Sequence, residues 1–201
     1  CPGGIIAPAA TAPGEVVDNG WSPSKRNNPF ANSGMVVSIE EADMQPFAKW
    51  GPLAGMHFQQ SVEQKAFTAG GGNLVAPAQR LVDFTKNITS ASLPDCSYLP
   101  GLHTADLRYV LPSFVYKALQ TAFKEFGKKL KGYYTNEAVV VATESRTSSP
   151  VRIPRDAETL QHPQVAGLYP CAEGAGYAGG SVSAAMDGER IATKIAERLA
   201  R

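Results

Sequence analysis

The sequence predicts an α/β fold, on the strength of two helical patterns and one strand pattern. Apolar residues recur at helical spacing over residues 112–131 and again over residues 181–201. Residues 138–142 form a continuous Val-rich run, which is typical of a buried strand. Long connections are expected between these elements, because the chain contains 19 glycines and 15 prolines.

In the N-terminal part of the chain, the secondary structure is predicted from weaker sequence patterns. Residues 1–35 are rich in turn-forming residues and predict mainly loops, although residues 1–8 are interpreted as either a strand or a loop. Residues 35–39 are rich in Val and Ile and predict a strand. Residues 53–68 have a partial apolar face and predict a helix. Three glycines at 70–72 are expected to end that helix, since glycine tolerates left-handed backbone angles.

The later connections follow the same rules. Residues 73–84 alternate weakly and predict a strand, residues 87–101 predict a loop, and residues 167–170 predict a short strand. The aromatic stripe within residues 112–131 is interpreted as core packing. The buried face of the last helix is expected to comprise Val182, Ala185, Met186, Ile191, Ala192, Ile195 and Leu199.

Composition excludes several classes of function. The net charge is +1, which gives no reason to expect binding to nucleic acid or to an anionic membrane surface. No apolar run approaches the roughly 20 residues that a membrane span requires. The three cysteines are widely separated, so neither a disulfide framework nor a metal site is predicted, and a reduced, cytoplasmic setting is expected. Because the first residue is Cys1, we interpret the chain as a fragment or a processed product.

The sharpest local pattern is the glycine spacing Gly174-x-Gly176-x-x-Gly179, placed between a predicted strand and a predicted helix. This spacing matches the dinucleotide-binding fingerprint, in which glycines let a ligand approach the backbone at the start of a helix. A complete fingerprint continues to a second strand ending in an acidic residue, and the sequence stops at Arg201 before one. This argues against an NAD-binding domain. A tight turn that binds no ligand remains the alternative.

Two basic, hydroxyl-rich segments are candidates for binding an anion. One follows the apolar run and contains Arg146 and Arg152; the other contains Lys25 and Arg26 between two prolines. Arginine can bind a carboxylate or phosphate through two parallel hydrogen bonds. An ordinary solvated loop is the alternative for both segments. We identify no catalytic triad and no carboxylate pair, so catalytic residues are left unassigned.

Several segments together resemble a bacterial family of FAD-dependent dehydrogenases that is related to the two-dinucleotide-binding-domain flavoproteins. The resemblance extends in order over nearly the whole chain. The matching segments are CPGGIIAPAA, NGWSPSKRNNPFANSG, GPLAGMHFQQSVEQKAFTAGGGNLVAPAQR, ESRTSSPVRIPRD and GLYPCAEGAGYAGGSVSAAMDG.

The resemblance implies a domain arrangement. Residues 1–30 would adjoin an FAD domain, residues 31–135 would form a cap or substrate region with a mixed sheet, and residues 136–201 would return to the FAD domain as a strand and a helix. The part that grips the FAD pyrophosphate is absent, so we expect the isolated chain to bind FAD weakly or not at all and to be inactive. The N-terminal half of the same protein is accordingly a candidate partner.

The resemblance also implies site residues and a reaction. Glu173 would accept a hydrogen bond from a ribityl hydroxyl. The remaining cofactor-binding positions, along the flavin and at the start of the helix, would be Gly174, Ala175, Gly176, Tyr177, Gly179 and Gly180. The full-length protein would transfer hydride through FAD, with an unknown small-molecule substrate and NAD(P)H as a candidate donor. The alternative is a non-catalytic interaction module that packs on a partner polypeptide.

Overall fold

A computed structural model describes residues 1–200, in two compact units. The first unit comprises residues 1–43 and 58–145, and the second comprises residues 44–57 and the chain from Arg146 onward. The chain combines helices with short strands, which confirms the predicted α/β class.

A three-stranded mixed sheet lies in the first unit. Its central strand β3 (Ala76–Arg80) runs parallel to β4 (Leu102–Thr104) and antiparallel to β5 (Val139–Val141). Ala78 lies opposite Val141 in the antiparallel pair. Strand β5 confirms the prediction from the Val-rich run, although its three residues are only half-buried because it forms one edge of the sheet.

A second, two-stranded sheet occupies a region for which the sequence predicts loops. Strand β1 (Ile5–Pro8) pairs antiparallel with β2 (Asp18–Trp21). The Asn32 amide holds the pair from outside it, donating to the Ile5 carbonyl at 3.1 Å and to the Trp21 carbonyl at 3.4 Å. Local composition favours turns here, and the bracing amide lies more than ten residues along the chain from both strands.

The three long helices confirm the helical patterns of the sequence. The second long helix begins after Pro112, and the first ends at glycines with φ of 97° and 87° at Gly71 and Gly72. A 3₁₀ helix, Glu41–Leu53, precedes the first long helix and is interrupted at Gly51. The helices are α1 (Ala54–Ala69), α2 (Leu81–Lys86), α3 (Ser113–Lys129) and α4 (Ser181–Leu199).

Three strand predictions are wrong in whole or in part. Residues 35–39 form no strand, because Met35 and Val37 pack against the core without a neighbouring strand to pair with. The strand predicted over residues 73–84 stops at Arg80 and gives way to α2, whose Val82 N–H is satisfied by the Asn136 side chain at 3.1 Å. Residues 167–170 form a turn and extended chain, with Gly167 at φ 79°.

The core of the first unit surrounds the predicted aromatic stripe. The Phe84 ring is fully buried, lies 4.3 Å from the Tyr116 ring and meets the Phe123 ring edge-on at 5.5 Å. The interpretation of the stripe as core packing is therefore confirmed. The other buried members of this cluster are Val16, Ala66, Ala76, Leu81, Tyr98, Leu107, Val110, Leu119 and Ala142.

The predicted buried face of α4 is largely wrong within the described residues. Ile191 is buried and Ile195 is half-buried, but Val182, Met186 and Leu199 are 75%, 65% and 81% exposed. The two alanines of the predicted face, Ala185 and Ala192, are also exposed. The helical period identifies an apolar face, but not the molecule that covers it.

Candidate functional site

The glycine-rich segment of the second unit forms a tight turn immediately before α4. The Gly176 N–H donates to the Glu173 carbonyl at 3.0 Å, and the Tyr177 N–H donates to the Ala172 carbonyl at 2.9 Å. Ala172 and Gly176 both have left-handed backbone angles, with φ of 59° and 81°. We call residues 172–180 the glycine turn.

The glycine turn lies against the basic segment that the sequence singles out. The Ile153 N–H donates to the Ala175 carbonyl at 3.2 Å, and the Tyr177 hydroxyl donates back to the Ile153 carbonyl at 3.0 Å. The Ser149 hydroxyl lies 3.3 Å from the Gly174 carbonyl. Two segments predicted separately are thus neighbours within the second unit.

One glycine of the turn is required by the protein itself. A Cβ at Gly176 would lie 3.0 Å from the Val151 carbonyl oxygen and 3.2 Å from Arg152 Cα, and φ is positive there. Both the tight space and the backbone angle favour glycine. Gly176 is therefore needed for the turn to pack on the basic segment.

The other three glycines have no such requirement. A Cβ at Gly174, Gly179 or Gly180 would meet nothing within 4 Å, and none of them has a left-handed φ. Gly174 and Gly179 are exposed. Internal packing therefore does not account for glycine at these three positions.

A buried ion pair holds the turn to α4. Arg155 donates two parallel hydrogen bonds to Asp187, Nη1 to Oδ2 at 2.9 Å and Nη2 to Oδ1 at 2.7 Å. The Ala172 N–H also donates to Asp187 Oδ2, at 2.8 Å, and Arg155 Nη1 reaches the Pro170 carbonyl at 3.0 Å. The two side chains are only 7% and 9% exposed. These donors, above all Arg155, lower the pKa of Asp187 to about 2.

Sequence reasoning did not identify this pair. Asp187 lies beside an apolar helix face, and Arg155 is the last arginine of the basic segment. A charged residue next to positions expected to be buried requires a partner, and the arginines of the basic segment were the available signal.

Tyr177 connects the ion pair to an exposed cation. Its ring centre lies 3.7 Å from Arg155 Cζ and 4.4 Å from Arg152 Cζ, both distances typical of cation–π contacts. Arg152 is exposed, and within residues 1–200 its guanidinium has no carboxylate partner. Its charge is therefore held at the glycine turn and remains available to an anion.

The remaining predicted site residues fall in different surroundings. Glu173 is partly exposed, and its carboxylate accepts no hydrogen bond from the described residues. Arg146 is half-buried and already has interactions of its own. Lys25 and Arg26 belong to the first unit, in an exposed turn closed by the Arg26 N–H and the Pro23 carbonyl at 2.9 Å.

A buried carboxyl in the first unit was also missed. Asp18 is 6% exposed, and its Oδ2 is buried without a hydrogen-bond partner. Burial, with a further contribution from the negative charge of Glu144, raises the pKa of Asp18 to about 7. The pKa of Glu144 is itself raised by burial. Asp18 follows two valines, and nothing in the local sequence distinguishes it from a turn residue.

Residues 1–200 contain neither a cluster of metal ligands nor a membrane-spanning helix. No group of three or more His, Cys, Asp or Glu residues is placed to hold a metal ion. None of the described helices has the length and apolar character needed to cross a bilayer.

Two comparisons relate the chain to known proteins. Residues 1–147 match the profile of the family described as "FAD-dependent protein, C-terminal domain-like". An uncharacterized protein of Clostridium beijerinckii is 43% identical over 201 residues, a match that covers 99% of this chain and 37% of that protein. The chain therefore spans little more than a third of its relative's length.

Proposed function

Since the chain belongs to the FAD-dependent protein, C-terminal domain-like family, we propose that it is the C-terminal part of an FAD-dependent oxidoreductase and that its glycine turn contacts the flavin. The family match covers residues 1–147, and the glycine turn lies beyond it. The proposal for the turn therefore depends on its own geometry.

The observation that carries the proposal is the division among the turn glycines. Gly176 is explained by internal packing, whereas Gly174, Gly179 and Gly180 leave open space where a side chain would be. The internal packing of the turn requires glycine at Gly176 alone. The open positions suit a flat ligand that lies along the backbone.

The surrounding groups suit a flavin in charge and polarity. Helix α4 begins directly after Gly180, which provides no side-chain cap, so the positive end of the helix dipole is available to a ligand. Glu173 offers a free acceptor for a ribityl hydroxyl. When bound, FAD supplies hydride transfer, and this chain would orient the flavin and stabilise negative charge beside it.

Arg152 would hold an anionic group at the edge of this site. Its guanidinium is kept at the turn by the Tyr177 ring, which Arg155 contacts as well. We assign to Arg152 a phosphate or carboxylate of the cofactor or substrate, because a guanidinium binds either through two hydrogen bonds. Arg146 of the same unit remains a candidate for this role, and Lys25 and Arg26 remain candidates for a separate anion-binding site within the first unit.

The decisive experiment measures FAD content and FAD affinity of the full-length protein after Gly174→Ala and Gly179→Ala. Neither methyl group clashes with the protein, so the apo protein should keep its melting temperature while FAD affinity falls about tenfold or more. Gly188→Ala is the matched control, since that glycine lies within α4 and also faces open space. Unchanged FAD affinity in both turn variants would contradict the proposal and favour an interaction module.

A further inference from the structure

A cleft of about 630 Å³ lies on the first unit, between α1 and the connection that follows β4. This volume falls within the range of about 300–1,000 Å³ that is typical of small-molecule sites. Helix α1 lines one side with residues that include Gln64, Lys65 and Thr68, which share one face of the helix because they lie three or four positions apart. Asp106 and Tyr109 line the other side.

Both sides of the cleft are anchored in the core of the first unit. The fully buried Gln79 side chain accepts a hydrogen bond from the Leu107 N–H at 2.9 Å and donates one to the Ile88 carbonyl at 2.8 Å. Leu107 and Val110 are themselves buried, and so is Ala66 on the α1 side. The cleft is therefore formed before a ligand arrives, which lowers the entropy that binding costs.

The charges that line the cleft favour an anion. Arg108 binds the Asp106 carboxylate, its Nε lying 2.9 Å from Oδ1 and 3.0 Å from Oδ2. These hydrogen bonds lower the pKa of Asp106, and the guanidinium compensates the negative charge. Lys65 is exposed and forms no ion pair among residues 1–200. One uncompensated positive charge therefore remains at the cleft.

Tyr109 gives the cleft an exposed aromatic wall. Its side chain is 77% exposed, although the next residue, Val110, is buried. The Tyr109 N–H donates to the Asp106 carbonyl at 3.1 Å, and Arg108 Cζ lies 5.8 Å from the ring centre. A ring held at the edge of a cleft can stack on an aromatic ligand. The ring and the lysine together suit a ligand that is both aromatic and anionic.

We propose that this cleft binds a small aromatic carboxylic acid, with the carboxylate on Lys65 and the ring against Tyr109. Gln64 and Thr68 provide further hydrogen-bonding groups on the same side as Lys65. The cleft contains no residue of the glycine turn or of the basic segment. The inference therefore does not rest on the proposed function.

A matched pair of probes tests the inference on the intact 201-residue chain. The probes are 2-naphthoate and 2-naphthamide, which have nearly the same shape but differ in charge, and their affinities are measured by ligand-detected NMR. Naphthoate should bind about fivefold more tightly or better, because only the carboxylate can form an ion pair with Lys65. This comparison requires no substitution in the protein.

Substitutions then assign the preference to the cleft. Lys65→Met should remove the preference for naphthoate and leave the affinity for naphthamide unchanged, whereas Tyr109→Ser should weaken binding of both probes. Lys124→Met is the control, since that lysine is exposed on α3 and does not line the cleft. Amide chemical shifts should change mainly within residues 61–69 and 105–110 when naphthoate is added.

Several results would overturn the inference. They are the absence of naphthoate binding, equal affinities of the two probes, a preference that survives Lys65→Met, and chemical shift changes centred on other residues. Binding that the full-length protein loses would overturn it as well, because another part of that protein would then fill the cleft. None of these measurements depends on FAD, so failure of the flavin site leaves them unaffected.

Discussion

Arg155 and Asp187 form a two-bonded ion pair that joins the basic segment to α4, and the same carboxylate accepts the Ala172 N–H at the start of the glycine turn. Asp187→Asn should therefore destabilise the second unit by about 3–5 kcal/mol, because it leaves the Arg155 charge buried without its counter-ion. Denaturant unfolding, with hydrogen exchange to localise the loss to residues 146–200, measures the effect. Lys194→Ala, which breaks an exposed pair, should cost no more than about 0.5 kcal/mol.

The pH dependence of this pair has a defined sign. The pKa of Asp187 is lowered to about 2, below the ordinary value of 3.8, so its stabilisation is fully present above about pH 4 and is lost as the pH falls towards 2. Asp187→Asn should abolish this part of the acid transition. An acid transition in the variant that equals that of the unsubstituted chain would show that the pair does not govern it.

Gly176→Ala should destabilise the apo protein, by about 1 kcal/mol or more, because φ is 81° and the methyl group would press on the Val151 carbonyl oxygen. Gly174→Ala provides the contrast within the same turn, since nothing lies within 4 Å of its Cβ position. Thermal melting of the two apo variants decides between them. Equal melting temperatures would mean that the turn does not depend on the left-handed angle.

Asp18→Asn should stabilise the first unit increasingly as the pH rises. The folded-state pKa is raised to about 7 from 3.8, so the folded chain binds a proton that the unfolded chain releases, and stability falls as the pH rises through this window. The advantage of the variant should grow by about 2–3 kcal/mol between pH 5 and pH 8. Urea unfolding at both pH values measures it, with the exposed Asp95→Asn as control. An advantage that is independent of pH would show that Asp18 is not protonated in the folded chain.

Arg152→Ala in the full-length protein should weaken binding of the anionic group by about 1.5–3 kcal/mol, roughly 10- to 150-fold. Its effect on stability should be small, since a cation–π contact at an exposed site contributes only about 0.5–1 kcal/mol. FAD affinity and the rate of flavin reduction by NAD(P)H are the measurements. Arg190→Ala on α4 is the matched control. If both measurements are unchanged, Arg152 does not bind an anionic group of the cofactor or substrate.

The sequence predicts helices and strands well where a single pattern of apolar residues dominates a segment. Helices α1, α3 and α4 follow their apolar patterns, and β5 follows its Val-rich run. Strand β1 lies in a stretch that the sequence left open between a strand and a loop, and β2 was not predicted, because local composition favours turns there and the Asn32 amide that braces the pair is distant in sequence. Residues 35–39 show the opposite case, in which strand-forming residues find no strand to pair with.

In the candidate site, too, local patterns were predictable from the sequence and contacts between distant residues were not. Glycine spacing located the turn and composition located the basic segment, but only the three-dimensional structure places Arg152 on Tyr177. The distinction between Gly176 and Gly174 also requires backbone angles and neighbouring atoms. Asp187 escaped prediction because its partner Arg155 is 32 residues away in the sequence.

The mixed sheet has a consequence for the order in which the first unit folds. Strand β4 pairs with β3 across a short stretch of chain, whereas Val141 pairs with Ala78 from about 60 residues away. Closing so long a loop costs entropy before any contact compensates for it, so β5 should add late to a nucleus of β3, α2 and β4. During synthesis, the β5 edge of β3 stays open until residue 141 has emerged, and a newly made chain is most prone to mispairing during that interval.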